Sequence, residues 1–374
     1  MKNVTKSSDS LRIIISGGGT GGHIFPAIAI ANAIKIVKPH AHILFVGALG
    51  RMEMNMIPKA GYEIIGLPIQ GFNRSSMLKN VALPYKLFSS VCKAISIIKD
   101  FKPDIAIGVG GYASGPMLLA AKIKGIPYLL QEQNSFAGFT NRWLGKGAQK
   151  ICVAFEGMEQ FFPKDKILIT GNPIRKEVTQ DLEGKKTVAL QHFGLRADKK
   201  TLLITGGSLG ARTLNEAVIH HLQTLLTSDV QLIWQTGKLY YDAIVSQYPS
   251  KINTHIKILP FLDRMDLAYA AADIIVSRAG AGTIAELCMV GKPTVLVPSP
   301  NVAEDHQTNN AKALLNKHAA LMVTDAQAKE TLLPKVLALL QDQNLCTELM
   351  KNIKLLSVAD ADDKIAEEVI HLVR

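Results

Sequence analysis

The sequence predicts an α/β fold made of two domains with parallel sheets. Short β-branched runs alternate with helical stretches along the chain, which is typical of parallel sheets with helices on both faces. The 374 residues are enough for two domains, each with its own core. Residues 13–18, Ile-Ile-Ile-Ser-Gly-Gly, are echoed by residues 202–207, Leu-Leu-Ile-Thr-Gly-Gly. This internal repeat predicts two Rossmann-like domains in tandem.

Ten strands are predicted, five in each half of the chain. The first five fall at residues 12–16, 42–46, 104–109, 127–130 and 151–154, and the other five at 201–205, 230–234, 256–259, 273–277 and 294–297. A polar, charged stretch follows the sequence Gly-Asn-Pro-Ile-Arg at 171–175 and predicts a linker. The domains are therefore expected at 1–172 and 173–356, with a final helix over about 362–369.

Composition excludes several classes of protein. With 48% hydrophobic and 20% charged residues, the chain is expected to be globular. Its four cysteines are scattered without a Cys-x-x-Cys pair, which favours a reducing compartment and argues against a zinc site. The first ten residues are polar, and no run of about 18 apolar residues follows, so neither a signal peptide nor a spanning helix is expected. These features indicate a cytoplasmic protein.

The net charge of +11 is concentrated in the first half. Residues 1–175 contain 21 Lys and Arg against 9 Asp and Glu, whereas the remainder contains 21 against 22. A basic face attracts nucleic acid or an anionic membrane surface. Because the sequence lacks RNA-binding signatures and basic residues interleaved with aromatic ones, we expect no nucleic acid and favour the membrane.

The segment at 71–99 is a candidate for contact with a membrane surface. Apolar residues that include Met77, Val81 and Phe88 recur at helical spacing, interleaved with cations that include Lys79 and Lys86. Two interpretations are open: an amphipathic helix packed on the core, or an interfacial segment that touches a membrane.

The first glycine-rich stretch follows a β-branched run and precedes Pro26, which suits the first turn of a helix. Five of the six residues at 17–22 are glycine, so backbone N–H groups can approach an anionic or oxygen-rich ligand closely. The spacing also fits a dinucleotide fingerprint, but the second strand runs into Gly47 where a ribose carboxylate is needed. This departure argues against a nicotinamide cofactor.

His23 comes directly after these glycines. The positive end of a helix favours neutral imidazole, which accepts a proton, so His23 is a candidate general base. The plainer interpretation is a polar residue at a helix start.

Two further loops follow predicted strands of the first half. The stretch Gly110-Gly111-Tyr112-Ala113-Ser114 either lines an acceptor site or makes a tight turn between strand and helix. The stretch at 131–135 places amides and a carboxylate after a strand, where polar residues contact ligands or simply form a polar loop.

The second half repeats this arrangement. Residues 206–211 form another glycine loop, in which Ser208 offers a hydroxyl. A helix expected to start near Ala281 directs its N–H groups at a diphosphate, and Glu286 lies about one turn inside it. Glu286 either accepts two hydrogen bonds from a ribose diol or is an ordinary exposed carboxylate. His306 and Gln307 either reach a sugar or cap a helix.

Six motifs in this order resemble the MurG family of glycosyltransferases, and the resemblance extends from Arg12 beyond Asn310. The motifs are Gly18-Gly19-Thr20-Gly21-Gly22-His23, Gly110-Gly111-Tyr112-x-Ser114-Gly115-Pro116, Gln133-Asn134, Gly171-Asn172-Pro173-Ile174-Arg175, Gly206-Gly207-Ser208 and Arg278-x-Gly280-Ala281-x-Thr283-x-x-Glu286.

The resemblance implies a GT-B fold, in which two Rossmann-like domains face a deep cleft and a last helix, about 357–374, packs back on the N-terminal domain. It implies inverting transfer of N-acetylglucosamine from UDP-GlcNAc to the 4-hydroxyl of the muramoyl sugar of lipid I, undecaprenyl-pyrophosphoryl-MurNAc-pentapeptide, to give lipid II and UDP. The first domain then binds acceptor and membrane, and the second binds the donor. No cofactor or metal is implied, since helix N-termini can stabilise a leaving diphosphate.

The resemblance also implies roles for individual residues. His23 matches the proposed base, Glu286 should hold the ribose, and Leu262 should meet the uracil. The donor-binding positions are Thr20, Gly21, Gly22, Asn134, Arg175, Ser208, Leu262, Ala281, Gly282, Thr283, Ile284, Ala285, Glu286 and Gln307. The acceptor-side positions are Gly19, Gly110, Gly111, Tyr112 and Ser114, and the membrane patch contains Met77, Lys79, Val81, Lys86 and Phe88. This chain departs from some relatives at Gly282, where they have leucine, and at His306, where they have glutamine.

The implied partners are UDP-GlcNAc, lipid I, an anionic membrane surface and other proteins of cell-wall synthesis. The implied location is peripheral, on the cytoplasmic face of the bacterial inner membrane.

Three alternative functions are open. They are a UDP-GlcNAc 2-epimerase or other GT-B enzyme with the same donor, a nicotinamide-dependent oxidoreductase, and a non-catalytic nucleotide-sugar-binding partner of a membrane complex. The basic amphipathic segment argues against the epimerase, which has a soluble substrate. Gly47, at the place of a ribose carboxylate, argues against the oxidoreductase. The presence of both His23 and Glu286 argues against a non-catalytic binding partner.

Overall fold

A computed structural model describes residues 11–71, 81–248 and 255–373. The chain divides into two compact units. The first unit combines Met1–Ile174 with Asp360–Arg374, and the second is Arg175–Ala359.

The first unit contains a seven-stranded sheet in which every described strand pair is parallel. Its strands are β1 (Arg12–Ser16), β2 (His42–Ala48), β3 (Glu63–Leu67), β4 (Ile105–Gly108), β5 (Tyr128–Glu132), β6 (Lys150–Val153) and β7 (Ile167–Ile169). They are ordered β3-β2-β1-β4-β5-β6-β7. The helices between them are α1 (Gly21–Val37), α2 (Glu53–Lys59), α3 (Leu83–Phe101), α4 (Ser114–Ile123) and α5 (Phe139–Gly145).

The second unit contains a six-stranded sheet, ordered β10-β9-β8-β11-β12-β13 and also parallel. Its strands are β8 (Lys200–Thr205), β9 (Val230–Gln235), β10 (Ile256–Leu259), β11 (Ile274–Ser277), β12 (Thr294–Leu296) and β13 (Leu321–Met322). Its helices are α6 (Lys176–Thr179), α7 (Lys186–Phe193), α8 (Arg212–His220), α9 (Leu222–Thr227), α10 (Lys238–Gln247), α11 (Met265–Ala271), α12 (Ala281–Val290), α13 (His306–Leu315), α14 (Ala328–Gln341) and α15 (Gln343–Lys354).

A last helix, α16 (Ala361–Leu372), packs against α1 in the first unit. The core of that unit has two layers, one on each face of the sheet. Ile14 joins the layer formed with α3, α4 and α5, whereas Ile13 and Ile15 join the layer formed with α1 and α16. Because alternate side chains of a strand face opposite ways, a strand buried on both sides must be apolar throughout. The run of isoleucines in β1 meets this requirement.

The predicted fold class, two parallel α/β domains, is confirmed. All ten predicted strands are present, with ends shifted by at most two residues. Three strands were missed, namely β3, β7 and β13. β3 begins at a glutamate and contains a glycine, and the other two are edge strands of only three and two residues.

The amphipathic segment predicted at 71–99 corresponds partly to α3. Its positions Met77 and Lys79 lie outside the described residues, whereas Val81, Lys86 and Phe88 are described. Across the described parts of the chain, no helix combines the length and the apolar character needed to cross a bilayer.

Candidate active site

The strand order of the first unit reverses direction between β1 and β4, and the loops after these two strands touch each other. A Cβ on Gly111 would lie 2.3 Å from the carbonyl oxygen of Gly18, and a Cβ on Gly17 would lie 2.2 Å from Val109 Cγ2. Gly111 also has φ of +85°, a conformation that residues with a side chain rarely adopt. Only glycine therefore allows the two loops to approach so closely. In open α/β sheets, ligands bind in the crevice at this reversal.

His23 lies in the first turn of α1 and contacts the second of these two loops. Its Nδ1 is 3.1 Å from Oε1 of Gln133, which follows β5. A Cβ on Gly110 would lie 2.8 Å from the His23 Cε1, so the ring rests against the backbone of the second glycine loop. The structure thus brings together residues from three motifs that are far apart in sequence.

Glu53, at the start of α2, is a buried carboxylate that holds the first glycine loop in place. It accepts hydrogen bonds from the backbone N–H of Gly19 (2.8 Å) and of Ala48 (3.0 Å). Cβ atoms on Gly18 and Gly47 would lie 2.3 and 2.6 Å from its side chain, so both glycines make room for it. Sequence reasoning missed Glu53, because no local pattern links it to a loop 34 residues earlier.

Glu132 organises the loop that follows β5. Its carboxylate accepts hydrogen bonds from the N–H of Asn134 (3.1 Å), the N–H of Gly138 (3.1 Å) and Nδ2 of Asn141 (2.9 Å). Burial raises the pKa of Glu132, and these hydrogen bonds act in the opposite direction. Glu132 therefore shapes the loop that carries Asn134, a predicted donor-binding residue.

The predicted acceptor-side residues differ in accessibility. Tyr112 is half-exposed, and its ring lies over Gly71, where a Cβ would come within 2.0 Å of it. Ser114 begins α4 and is fully buried, with its hydroxyl 2.7 Å from the place of a Cβ on Gly108. Roles for Tyr112, Ser114, Gly19, Gly110 and Gly111 in acceptor binding stay predictions.

The second unit has the same reversal between β8 and β11, and again a glycine loop lies beside it. Gly210, with φ of +77°, lies so close to the residue that follows β9 that a Cβ would be 2.0 Å from the carbonyl oxygen of Thr236. Gln235 ties the loop to the sheet, since it accepts from the N–H of Gly206 (3.2 Å) and donates to the carbonyl oxygen of Gly207 (2.9 Å). Ser208 is exposed on this loop.

The helix α12 follows β11 and begins at Ala281, with Gly280 as its N-cap. The start of a helix carries the positive end of the helix dipole and therefore favours an anion. The side chains of Ala281 and Ile284 are buried, so neither side chain reaches the surface of this turn. A Cβ on Gly282 would meet nothing within 4 Å, which leaves open space beside this turn.

Glu286 lies one turn inside α12 and is held by two side chains. Its Oε2 accepts a hydrogen bond from the hydroxyl of Tyr269 (3.1 Å), and its Oε1 is 3.4 Å from Nη2 of Arg175. Burial raises the pKa of Glu286, whereas Arg175 and the Tyr269 hydroxyl lower it. Burial and the neighbouring carboxylate raise the pKa of Tyr269 well above its usual value, so its hydroxyl stays a donor. Glu286 and Arg175 belong to two of the sequence motifs, but neither motif points to Tyr269 on α11.

Two other predicted residues, Gln307 and Leu262, and the motif residue Arg278 have identifiable surroundings. Gln307 accepts a hydrogen bond from the N–H of Ser299 (2.8 Å) and so fixes the loop after β12. Arg278 is anchored inside the unit by Asp325 (2.5 Å). Leu262 lines a pocket of about 300 Å³, with Phe193, Leu259 and Phe261 among the other lining residues.

Within residues 11–71, 81–248 and 255–373, no three or more His, Cys, Asp or Glu side chains are grouped so as to hold a metal ion.

Family models match both units. The glycosyltransferase family 28 N-terminal domain matches residues 13–153, and the family 28 C-terminal domain matches residues 201–365. The chain belongs to glycosyltransferase family 28.

The resemblance to MurG proteins within family 28 is also confirmed. A protein of Phocaeicola vulgatus named UDP-N-acetylglucosamine--N-acetylmuramyl-(pentapeptide) pyrophosphoryl-undecaprenol N-acetylglucosamine transferase is 55% identical over 367 residues, 97% of each chain. The crystal structure of Acinetobacter baumannii MurG is 30% identical, with a TM-score of 0.78 over 96% of this chain and 99% of that one. These likenesses support the GT-B architecture as well as the family.

Other GT-B enzymes share the fold without close sequence similarity. The UDP-GlcNAc 2-epimerase of Neisseria meningitidis, solved with UDP-GlcNAc, has a TM-score of 0.64 over 97% of this chain and all of its own, but only 13% identity. At that identity the likeness shows the fold alone, so it does not favour an epimerase over a family 28 transferase.

Proposed function

We propose that this protein is the inverting transferase that moves N-acetylglucosamine from UDP-GlcNAc to the 4-hydroxyl of the muramoyl sugar of lipid I, giving lipid II and UDP. The observation that carries the proposal is the 55% identity, over 97% of both chains, with a protein that bears the name of this transferase. The start of α12 with Glu286 in the second unit, and His23 beside the two glycine loops of the first unit, supply the contacts and the base that the reaction needs.

The second unit would hold the donor. The first turn of α12 offers N–H groups to the diphosphate, where they stabilise the negative charge that develops on UDP as it leaves. The carboxylate of Glu286 would accept hydrogen bonds from the two ribose hydroxyls, and Arg175, 3.4 Å away, favours its ionised form. The backbone at Leu262 would meet the uracil.

The first unit would hold the acceptor and supply the base. An imidazole nitrogen of His23 takes the proton of the acceptor 4-hydroxyl as its oxygen bonds to C1 of N-acetylglucosamine. The bond from C1 to the diphosphate oxygen breaks on the opposite face, so the new linkage is β-1,4. UDP departs with the bonding electron pair.

A lipid-linked acceptor requires the protein to work at a membrane surface, and α3 is suited to this. Val81, two residues before α3, is 77% exposed, and Tyr85 and Phe88 within α3 are 75 and 69% exposed, although each would favour an apolar environment. Lys86 lies among them, with its Nζ donating to Gln70 Oε1 (2.7 Å). We therefore infer peripheral binding to the anionic cytoplasmic face of the inner membrane.

Vesicle binding tests the membrane contact. Phe88→Ser should lower partitioning onto phosphatidylglycerol vesicles by about 10- to 150-fold, because one buried aromatic side chain contributes about 1.5–3 kcal/mol. Leu239→Ser is the matched control, since Leu239 is 81% exposed on α10 of the other unit. Equal losses in both variants would contradict a specific role for α3.

The role of His23 is tested by comparing wild type with His23→Ala. Loss of a general base should lower the turnover number for transfer to a short-chain lipid I analogue by about 10²-fold or more. The dissociation constant for UDP-GlcNAc should stay unchanged, because the proposed role of His23 is to take a proton from the acceptor and not to bind the donor. Near-normal turnover in His23→Ala would leave the transferase in place but remove His23 as its base.

A further inference from the structure

Three amide side chains form a buried chain behind His23. Gln131 and Gln133 lie at the end of β5, and Asn172 lies just after β7; all three are almost completely buried. Gln131 Nε2 donates to Asn172 Oδ1 (2.9 Å), and Asn172 Nδ2 donates back to the carbonyl oxygen of Gln133 (2.9 Å). Buried amides have few alternative partners, so this chain fixes the orientation of each member.

The orientation of the Gln133 amide follows from its neighbours. Its Nε2 donates to the carbonyl oxygen of Val109 (2.7 Å) and to Oε1 of Gln131. Rotating the amide by 180° would place its oxygen against both of these oxygen acceptors, and neither could donate a proton to it. The amide oxygen of Gln133 is therefore the atom that faces His23 Nδ1, at 3.1 Å.

An amide oxygen only accepts hydrogen bonds, so the contact requires a proton on His23 Nδ1. A neutral imidazole carries one proton, and with that proton on Nδ1 the basic lone pair is on Nε2. We propose that Gln133 is a positioning residue that holds His23 in this tautomer, and that Gln131 and Asn172 hold Gln133. The proposal rests on the proposed function, in which His23 takes a proton from the acceptor.

The tautomer can be measured directly in the whole protein. Nitrogen-15 shifts of labelled histidine distinguish a protonated ring nitrogen from one with a lone pair, at a pH where the imidazole is neutral. The chain has 10 histidines, so the spectrum of His23→Gln assigns the His23 signals by difference. The proposal predicts a protonated Nδ1 and an unprotonated Nε2 in the wild type. A proton on Nε2 instead would overturn it.

A substitution tests whether the tautomer matters for the reaction. Gln133→Met keeps the length of the side chain but removes the acceptor, so both tautomers of His23 should be populated. If the active tautomer falls to about one tenth of the molecules, kcat for N-acetylglucosamine transfer should fall about tenfold, in proportion to that population. The Kd for UDP should not change. An altered tautomer with unchanged kcat would overturn the proposal.

Gln149→Met is the matched control. Gln149 lies in the same unit, and its amide oxygen also accepts one hydrogen bond, from the N–H of Tyr128 (2.7 Å). This variant should leave the His23 shifts and kcat as in the wild type; a tenfold loss of kcat here would show that the effect of Gln133→Met is not specific. If the wild type transfers no sugar, the proposed function fails, while the nitrogen-15 spectrum still decides the tautomer. The spectrum also decides it if Gln133→Met does not fold.

Discussion

The hydroxyl of Tyr269 donates a hydrogen bond to Glu286 Oε2 across 3.1 Å, from one helix of the second unit to another. Tyr269 itself is fully buried, so the position of its hydroxyl is set by packing rather than by solvent. Together with Arg175 on the other oxygen, it fixes the direction of a carboxylate that we propose binds the ribose of the donor. A fixed carboxylate loses less conformational entropy on binding.

Tyr269→Phe should weaken UDP binding modestly and shift its pH dependence. Losing one hydrogen bond of about 0.5–1.5 kcal/mol predicts an affinity about 2–13-fold lower. The Tyr269 hydroxyl lowers the pKa of Glu286, so its removal raises that pKa further. Because the ionised carboxylate is the better acceptor, affinity falls as the pH drops through this pKa, and it should start to fall at a higher pH in the variant. Calorimetric titration with UDP from neutral to acidic pH measures both effects; superimposable pH profiles would contradict the role of Tyr269.

Glu286→Gln should have the larger effect on donor binding. Hydrogen bonds to a charged group contribute about 1.5–3 kcal/mol, so the Kd for UDP should rise about 10- to 150-fold. Glu348→Gln, at an exposed position on α15, is the control and should bind UDP like the wild type. A Glu286→Gln variant that binds UDP as tightly as this control would show that Glu286 does not hold the ribose.

Gly61 and Gly111 have almost the same φ, so alanine substitutions at these two positions separate the cost of backbone strain from the cost of a steric clash. Gly61 has φ of +84° with nothing within 4 Å of an added Cβ, whereas Gly111 has φ of +85° with the Gly18 carbonyl oxygen 2.3 Å away. Gly61→Ala should cost only the backbone strain, about 1–2 kcal/mol. Gly111→Ala must also push the two glycine loops apart, so it should destabilise more and abolish transfer. Urea unfolding measures the difference; equal free energies of unfolding for the two variants would contradict the close contact between the loops.

Glu53→Gln tests the carboxylate beneath the first glycine loop. Either Gly19 or Ala48 would then have its N–H facing an amide NH₂ group, which leaves a buried donor unsatisfied at a cost of about 1–3 kcal/mol. Glu63→Gln, exposed at the start of β3, should cost almost nothing by comparison. The free energies of unfolding in urea give the test, and a neutral Glu53→Gln would mean that the loop does not depend on this contact.

The sequence was most informative where structure depends on local pattern. The isoleucines of β1 and the glycines that follow predict a strand, a loop and a helix start, because burial on both faces and tight turns restrict residue type locally. Glu286 could be found from its spacing to the glycines before α12. Tyr269 and Glu53 could not, because their partners are 17 and 34 residues away and only the sheet topology brings them together. The amide chain behind His23 could not be predicted for the same reason, since Asn172 and Gln131 are 41 residues apart.

In the proposed transferase, the sugar leaves UDP only to join the lipid-linked acceptor. The most direct test is release of UDP from UDP-GlcNAc with and without a short-chain lipid I analogue, with the sugar radiolabelled. We predict that UDP appears only when the acceptor is present, with one labelled sugar found in the lipid for each UDP. UDP release without acceptor, or conversion of the sugar to its 2-epimer, would contradict the transferase and indicate a hydrolase or an epimerase with the same fold.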